Sequence, residues 1–165
     1  MRSNSNKQKG FSLIELLIVV AIILIIAAIA IPNLLRSKMA ANEASAVATL
    51  RTYNTAIVSY QTTYGTDPAT GLAQLGPAST PSSAAADLVD SLLGTGAVPQ
   101  KSGYTFTYTA VAPTAPATDV TQYSIIAAPI STSTGQRQFF SDQSGVIRQT
   151  TDGSTPTATS SPIGG

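Results

Sequence analysis

The chain has 165 residues, about one domain's worth, with 43% hydrophobic residues, only 10% charged residues and a net charge of +1. Without Cys, His or Trp it cannot build a disulfide framework, a Cys/His zinc site or a histidine-based triad. Its charge gives no basic footprint for nucleic acid, and so few charges amid so much hydrophobicity do not suggest a disordered chain.

Residues 1–10 are a polar leader with Arg2, Lys7 and Lys9 and no acid. From Phe11 to Ile31 the chain is apolar except for Ser12 and Glu15, and Pro32 follows. As a helix this run is about 31 Å long, close to the roughly 30 Å hydrocarbon core of a bilayer. The three cations before it place the N-terminus in the cytoplasm, although Arg36 and Lys38 on the far side weaken the asymmetry. A secretory signal peptide is one reading, with Ala28-Ile29-Ala30 as its cleavage site. The run exceeds the roughly 7–15 apolar residues such a segment needs. A plain membrane anchor is a second reading. Neither explains Glu15, an acid inside an apolar span and so a functional residue by default.

Gly10-Phe11-Ser12-Leu13-Ile14-Glu15, followed by the apolar run and Pro32, resembles the N-terminal signature of type IV prepilins and type II secretion pseudopilins. The resemblance covers roughly residues 7–38. It implies cleavage between Gly10 and Phe11 by a membrane peptidase that also methylates the new N-terminus at Phe11. It implies an assembly role for Glu15, pairing with the terminal ammonium of a neighbouring subunit, and a helix kink at Pro32. It also implies the organisation: 1–10 a prepilin leader, 11–32 a transmembrane and assembly helix, and 33–165 a helix continuation with a globular pilin-like domain. The new α-amine has an ordinary pKa near 7.7–8.0, so it is mostly charged at neutral pH. A misregistered neighbour would leave Glu15 buried and unpaired, the costly case. Glu15 is therefore expected to set register.

Past Pro32, Val47, Leu50, Tyr53, Ile57, Tyr60 and Tyr64 recur at helical spacing and predict one apolar stripe, with Asn42, Ser45, Thr49, Arg51 and Asn54 off it. Gly65 is a natural helix stop. One helix is expected from about 11 to about 63, with the tyrosines packing on a sheet. Leu72–Leu75 is a short apolar patch. Ala84–Leu93 predicts a short helix carrying Asp87 and Asp90 on a solvated face. Gly94–Ser102 lacks the glycine before Lys101 that a phosphate loop needs.

Beyond residue 103 the signals are strand-like. Tyr104–Tyr108 alternates aromatic and Thr, Tyr123–Ile130 is a second run, and Gln138–Ser141 and Val146–Gln149 flank a turn at Asp142–Gly145. The expected fold is α+β and pilin-like, a long N-terminal helix packed on a roughly four-stranded antiparallel sheet. The tail after Asp152 reads as mobile. Asp142 and Asp152 lack the EF-hand spacing, so no metal site is assigned; the sequence also offers no catalytic and no cofactor-binding residues. Ser and Thr supply 21 of the 63 residues from 103 to 165, which suits an extracellular surface.

These features and the resemblance together imply a non-enzymatic structural subunit of a helical fibre, a type IV pilus major-pilin-like protein. The alternative is a type II secretion pseudopilin, and more distantly a secreted binding domain or enzyme. The implied partners are a prepilin peptidase/methyltransferase, copies of the chain itself, the inner membrane and a pilus or secretion assembly platform; nucleic-acid binding stays open. The precursor is expected as a single-pass protein of the bacterial inner membrane, and the assembled fibre in the periplasm or on the cell surface. Removing the leader leaves six basic and eight acidic side chains, or −2.

Overall fold

The computed structural model describes residues 11–112 and 119–164. A single helix, α1, runs Leu13–Tyr64 without a break at Pro32. The chain divides into two compact units, Met1–Ser37 and Lys38–Gly165.

In the first unit the described residues are almost all helix, and nearly every side chain is exposed, including the aliphatic ones from Leu13 to Leu35. The helix is long and apolar enough to cross a membrane. Pro32 has no N–H, so the carbonyl of Ala28 loses its intrahelical donor.

In the second unit the remainder of α1 buries one face: Ala46, Leu50, Tyr53, Ala56, Ile57 and Tyr60, with Val47 and Tyr64 partly covered. Thr49, expected off the stripe, is buried as well, its hydroxyl donating to the Ser45 carbonyl. That internal bond satisfies the hydroxyl and makes its burial inexpensive. Gly65 ends α1 at φ +79° and donates to the Gln61 carbonyl, the left-handed stop a glycine adopts without strain.

The helix faces an antiparallel sheet of six strands in sequence order: β1 Gln100–Lys101, β2 Tyr104–Ala110, β3 Tyr123–Pro129, β4 Gln138–Asp142, β5 Arg148–Thr150 and β6 Ser161–Pro162. Tyr104, Phe106 and Tyr108 point to the helix as their alternation requires, and the intervening threonines point away. Phe106 pairs with Ala127, which pairs in turn with Phe139. The Tyr53 ring meets Phe106 edge-on at 5.6 Å between centroids. The hydroxyls of Tyr53, Tyr60 and Tyr104 donate to the carbonyls of Leu93, Ser83 and Arg137, so these buried rings carry no orphan donor.

Three expectations are corrected. The sheet has six strands, not four, because two-residue strands close its edges. The tail after Asp152 is tied down: β6 pairs with β5, Ile163 donates to the Ile147 carbonyl at 3.0 Å, and its side chain packs on the core. Ala84–Leu93 is not a helix. Its apolar residues Ala86, Val89 and Leu93 are buried, but the N–H groups of Ala86, Asp87, Leu88 and Val89 donate to the carbonyls of Gln74, Gly76, Leu75 and Leu75. Those carbonyls belong to and follow the 3₁₀ turn Leu72–Leu75. A ten-residue helix is marginal alone, and tertiary partners took its donors.

That loop closes through two glycines. A Cβ on Gly94 would stand 2.2 Å from the Gly76 Cα, and one on Gly76 would stand 2.2 Å from the Gly94 carbonyl oxygen. Gly94→Ala is expected to cost about 2 kcal/mol, since backbone rather than a flexible side chain must yield. Denaturant unfolding followed by the tyrosine signal checks this; an unchanged midpoint would refute the contact.

Candidate processing and assembly site

The candidate site lies where α1 begins. Gly10 falls outside the described residues. Phe11 is 83% exposed, open to an enzyme or to a neighbouring chain. Ser12 precedes the first helical residue and stands at the N-cap, its carbonyl accepting from the Leu16 N–H at 3.2 Å. Glu15 reaches back one turn, and its Oε2 accepts from the Ser12 N–H at 2.9 Å. This is half of a capping box, with an acid at the third helical position satisfying a backbone donor that the helix leaves bare. It also sets a carboxylate against the positive end of the helix dipole.

The structure thus brings Phe11, Ser12 and Glu15 together. Pro32 is not part of this cluster; it lies 17 residues beyond Glu15, roughly 26 Å along α1 at 1.5 Å per residue. Ser12 was missed as a site residue, although the Ser-x-x-Glu spacing before an apolar run is a readable signal.

A second polar cluster, also missed, joins α1 to the approach of β4. Glu43 Oε2 accepts from Arg137 Nε at 2.7 Å, and its Oε1 accepts from the backbone N–H groups of Gln136 and Arg137 at 3.0 and 3.2 Å. Arg137 also donates to Gln149 Oε1 and lies over the Phe139 ring. Burial by itself would raise the Glu43 carboxyl, but the Gln136 N–H bond, the Arg137 bonds and the guanidinium charge outweigh it and hold the group below the usual carboxylate range.

The remaining acids form no catalytic constellation among the described residues. Asp90 Oδ1 accepts the Leu93 N–H, and Asp87 is exposed in a turn. Asp142 and Asp152 each fold back on the serine two residues on. No group of three or more metal-ligating side chains occurs among the described residues.

Residues 5–31 match the prokaryotic N-terminal methylation motif. A stretch of 35 residues is 66% identical to the type IV wide pilus major component of Thermus thermophilus, covering 21% of this chain and 27% of that protein. The similarity to that relative therefore spans about a quarter of its length. No solved structure matches the chain.

Proposed function

We propose that the chain is a structural subunit of a type IV pilus-like fibre, held in the membrane by α1, cut between Gly10 and Phe11, methylated at Phe11 and then assembled. The observation that carries this reading is the methylation motif at residues 5–31, which includes the apolar start of α1, where nearly every side chain is exposed. A signal peptide is discarded after cleavage. A cut before Phe11 keeps the apolar segment, so the product remains membrane-held and carries the surface that subunits bury against one another. Head-to-tail contacts that do not close generate filaments. The similarity to a wide-pilus component favours a pilus over a secretion pseudopilus.

In this reading the domains are a leader 1–10, an assembly helix 11–32, and a globular part that the fibre displays. Glu15 pairs with the ammonium of a neighbouring subunit, and Pro32 weakens α1 locally when subunits pack. Intact-mass and N-terminal analysis of the mature protein is expected to find methylated Phe11 as the first residue. A start at Ile31 would replace the fibre reading with ordinary secretion. Electron microscopy of sheared cell surfaces, beside an exoprotein secretion assay, separates pilus from pseudopilus.

A further inference from the structure

Within the globular unit, charge is sorted by segment. Residues 66–100 hold three acids, Asp67, Asp87 and Asp90, and no Lys or Arg. Asp67 is buried, whereas Asp87 and Asp90 are exposed, and the exposed Leu88 and Leu92 stand beside them. Asp87 forms no ion pair among the described residues, and Asp90 engages only the Leu93 N–H, through Oδ1. Asp87 also holds φ +55°, a left-handed backbone that costs most residues energy. Strained positions of this kind gather at functional surfaces. The segment therefore presents a ridge of two carboxylates and two leucines.

From Lys38 to Tyr64 the same unit carries two cations, Lys38 and Arg51, and one acid, Glu43. Glu43 is already held by Arg137 and two backbone N–H groups. Arg51 is exposed and forms no ion pair among the described residues. With Ala40, Ala44 and Val47 of α1, Phe139 of β4 and Ile163, it lines an open groove. That groove is mainly apolar, with an uncompensated guanidinium at one end of its α1 wall.

The ridge and the groove lie on different flanks of α1. Leu88 adjoins Thr52, Thr55, Ala56 and Ser59. At about 3.6 residues per turn, that set and the α1 wall of the groove point roughly 120° apart around the helix. A ridge on one flank and a socket on another are not self-complementary. Matched between copies, they continue from one copy to the next.

We propose that the Asp87–Leu92 ridge docks in the Arg51 groove of a second copy, its leucines covering Val47, Phe139 and Ile163 and its carboxylates facing Arg51. The groove fits an acidic, apolar segment without cations, and residues 66–100 of the chain itself are such a segment. Complementary charges of this kind set partner choice and register more than affinity. The contact rests on the fibre reading and adds to it a lateral seam outside the apolar start of α1.

The chain has no cysteine, so two introduced thiols are its only ones. Ala44→Cys with Leu88→Cys, and separately Ala40→Cys with Leu88→Cys, are placed in the full chain and oxidised in the cells that express it. All three positions are exposed. Within one copy, Ala44 is about 10 Å along α1 from Arg51, the first helix residue beside Leu88, and Ala40 is farther. A disulfide needs Cα atoms within about 7 Å, so a bridge reports two copies. Non-reducing gels are expected to show a ladder of dimers and larger species from at least one pair, and monomer alone from each single-Cys chain. Adding Arg51→Glu, or Asp87→Asn with Asp90→Asn, is expected to lower the ladder yield several-fold. Asparagine tolerates a left-handed backbone and keeps the oxygen that accepts from Leu93, so the fold is spared. Absence of a ladder from both pairs overturns the contact whether or not fibres form, and so does a ladder indifferent to these charges. Dimers from the Leu88→Cys chain alone would mark a two-fold contact and overturn it too. Electron microscopy reports separately on the fibre reading: fibres without a ladder keep that reading and remove the contact, and a ladder without fibres does the reverse.

Discussion

Glu15→Ala is expected to insert in the membrane, lose its leader and acquire its N-terminal methyl group, yet give no fibres. In the isolated subunit Glu15 is exposed and, among the described residues, engages only the Ser12 N–H, so removing it disturbs little beyond the first helical turn. In a fibre, the apolar side chains of residues 13–31 are the surface available for burial, and Glu15 goes under with them. A desolvated carboxylate must then meet a cation, which the proposed mature terminus at Phe11 would supply. The alanine variant loses both the cap and the charge, so a second variant separates them. Glu15→Gln retains a carbonyl oxygen for the Ser12 N–H and carries no charge. Fibres are expected to be lost in both variants, with the methylated Phe11 terminus still found in the membrane fraction. Wild-type fibre yield from Glu15→Gln would assign Glu15 to capping alone.

The second large effect belongs to the globular unit. Arg137→Ala is expected to destabilise it by about 2 kcal/mol, below the 3–5 kcal/mol typical when a fully buried pair is broken. The discount reflects exposure, because the Arg137 side chain is 41% exposed and the Glu43 side chain 10%. Glu43 keeps two backbone donors in that variant, which limits the loss further. Glu43→Ala reverses the situation by stranding the Gln136 and Arg137 N–H groups, and is expected to cost about as much. The pH dependence is specific. A lowered folded pKa means that the Glu43 contribution is present above its unfolded pKa, near 4.3, and is lost as pH falls through the folded value. Urea unfolding followed by the tyrosine signal measures both variants. Changes under about 0.5 kcal/mol would remove the pair from the account of stability.

Much of this architecture is written locally in the chain. The span of α1, its stripe, the Gly65 stop, the β2 alternation and the Asp142–Gly145 turn each depend on residues within a few positions of one another, and each appears where expected. Features decided by distant partners are not legible in that way. Glu43 reads as one more solvated helix acid because its partner Arg137 lies 94 positions away. Residues 100–101 and 161–162 are strands only because β2 and β5 lie beside them. At Ala84–Leu93 the sequence suggests a helix that does not form, because the backbone donors are taken by another segment. Asp67 followed by Pro68 looks like a simple helix stop, and its burial depends on β2 and on the end of the β2–β3 connection. The Ser12–Glu15 capping spacing is visible, but both residues already belong to the cleavage signature.

The strand order carries a consequence for how the domain forms. Every strand pairs with the one before it and the one after it in the chain. The sheet therefore closes as a series of short loops, the longest link between paired strands being the segment 111–122 between β2 and β3. Loop closure costs grow with separation, and a meander meets them in small steps. The long-range seam is the one between α1 and the sheet, fastened by Glu43 to Arg137 and by Asn54 to Ser141. Sheet assembly and helix docking are thus topologically separable events. A nascent domain can complete its hairpins before it commits its hydrophobic face to the helix.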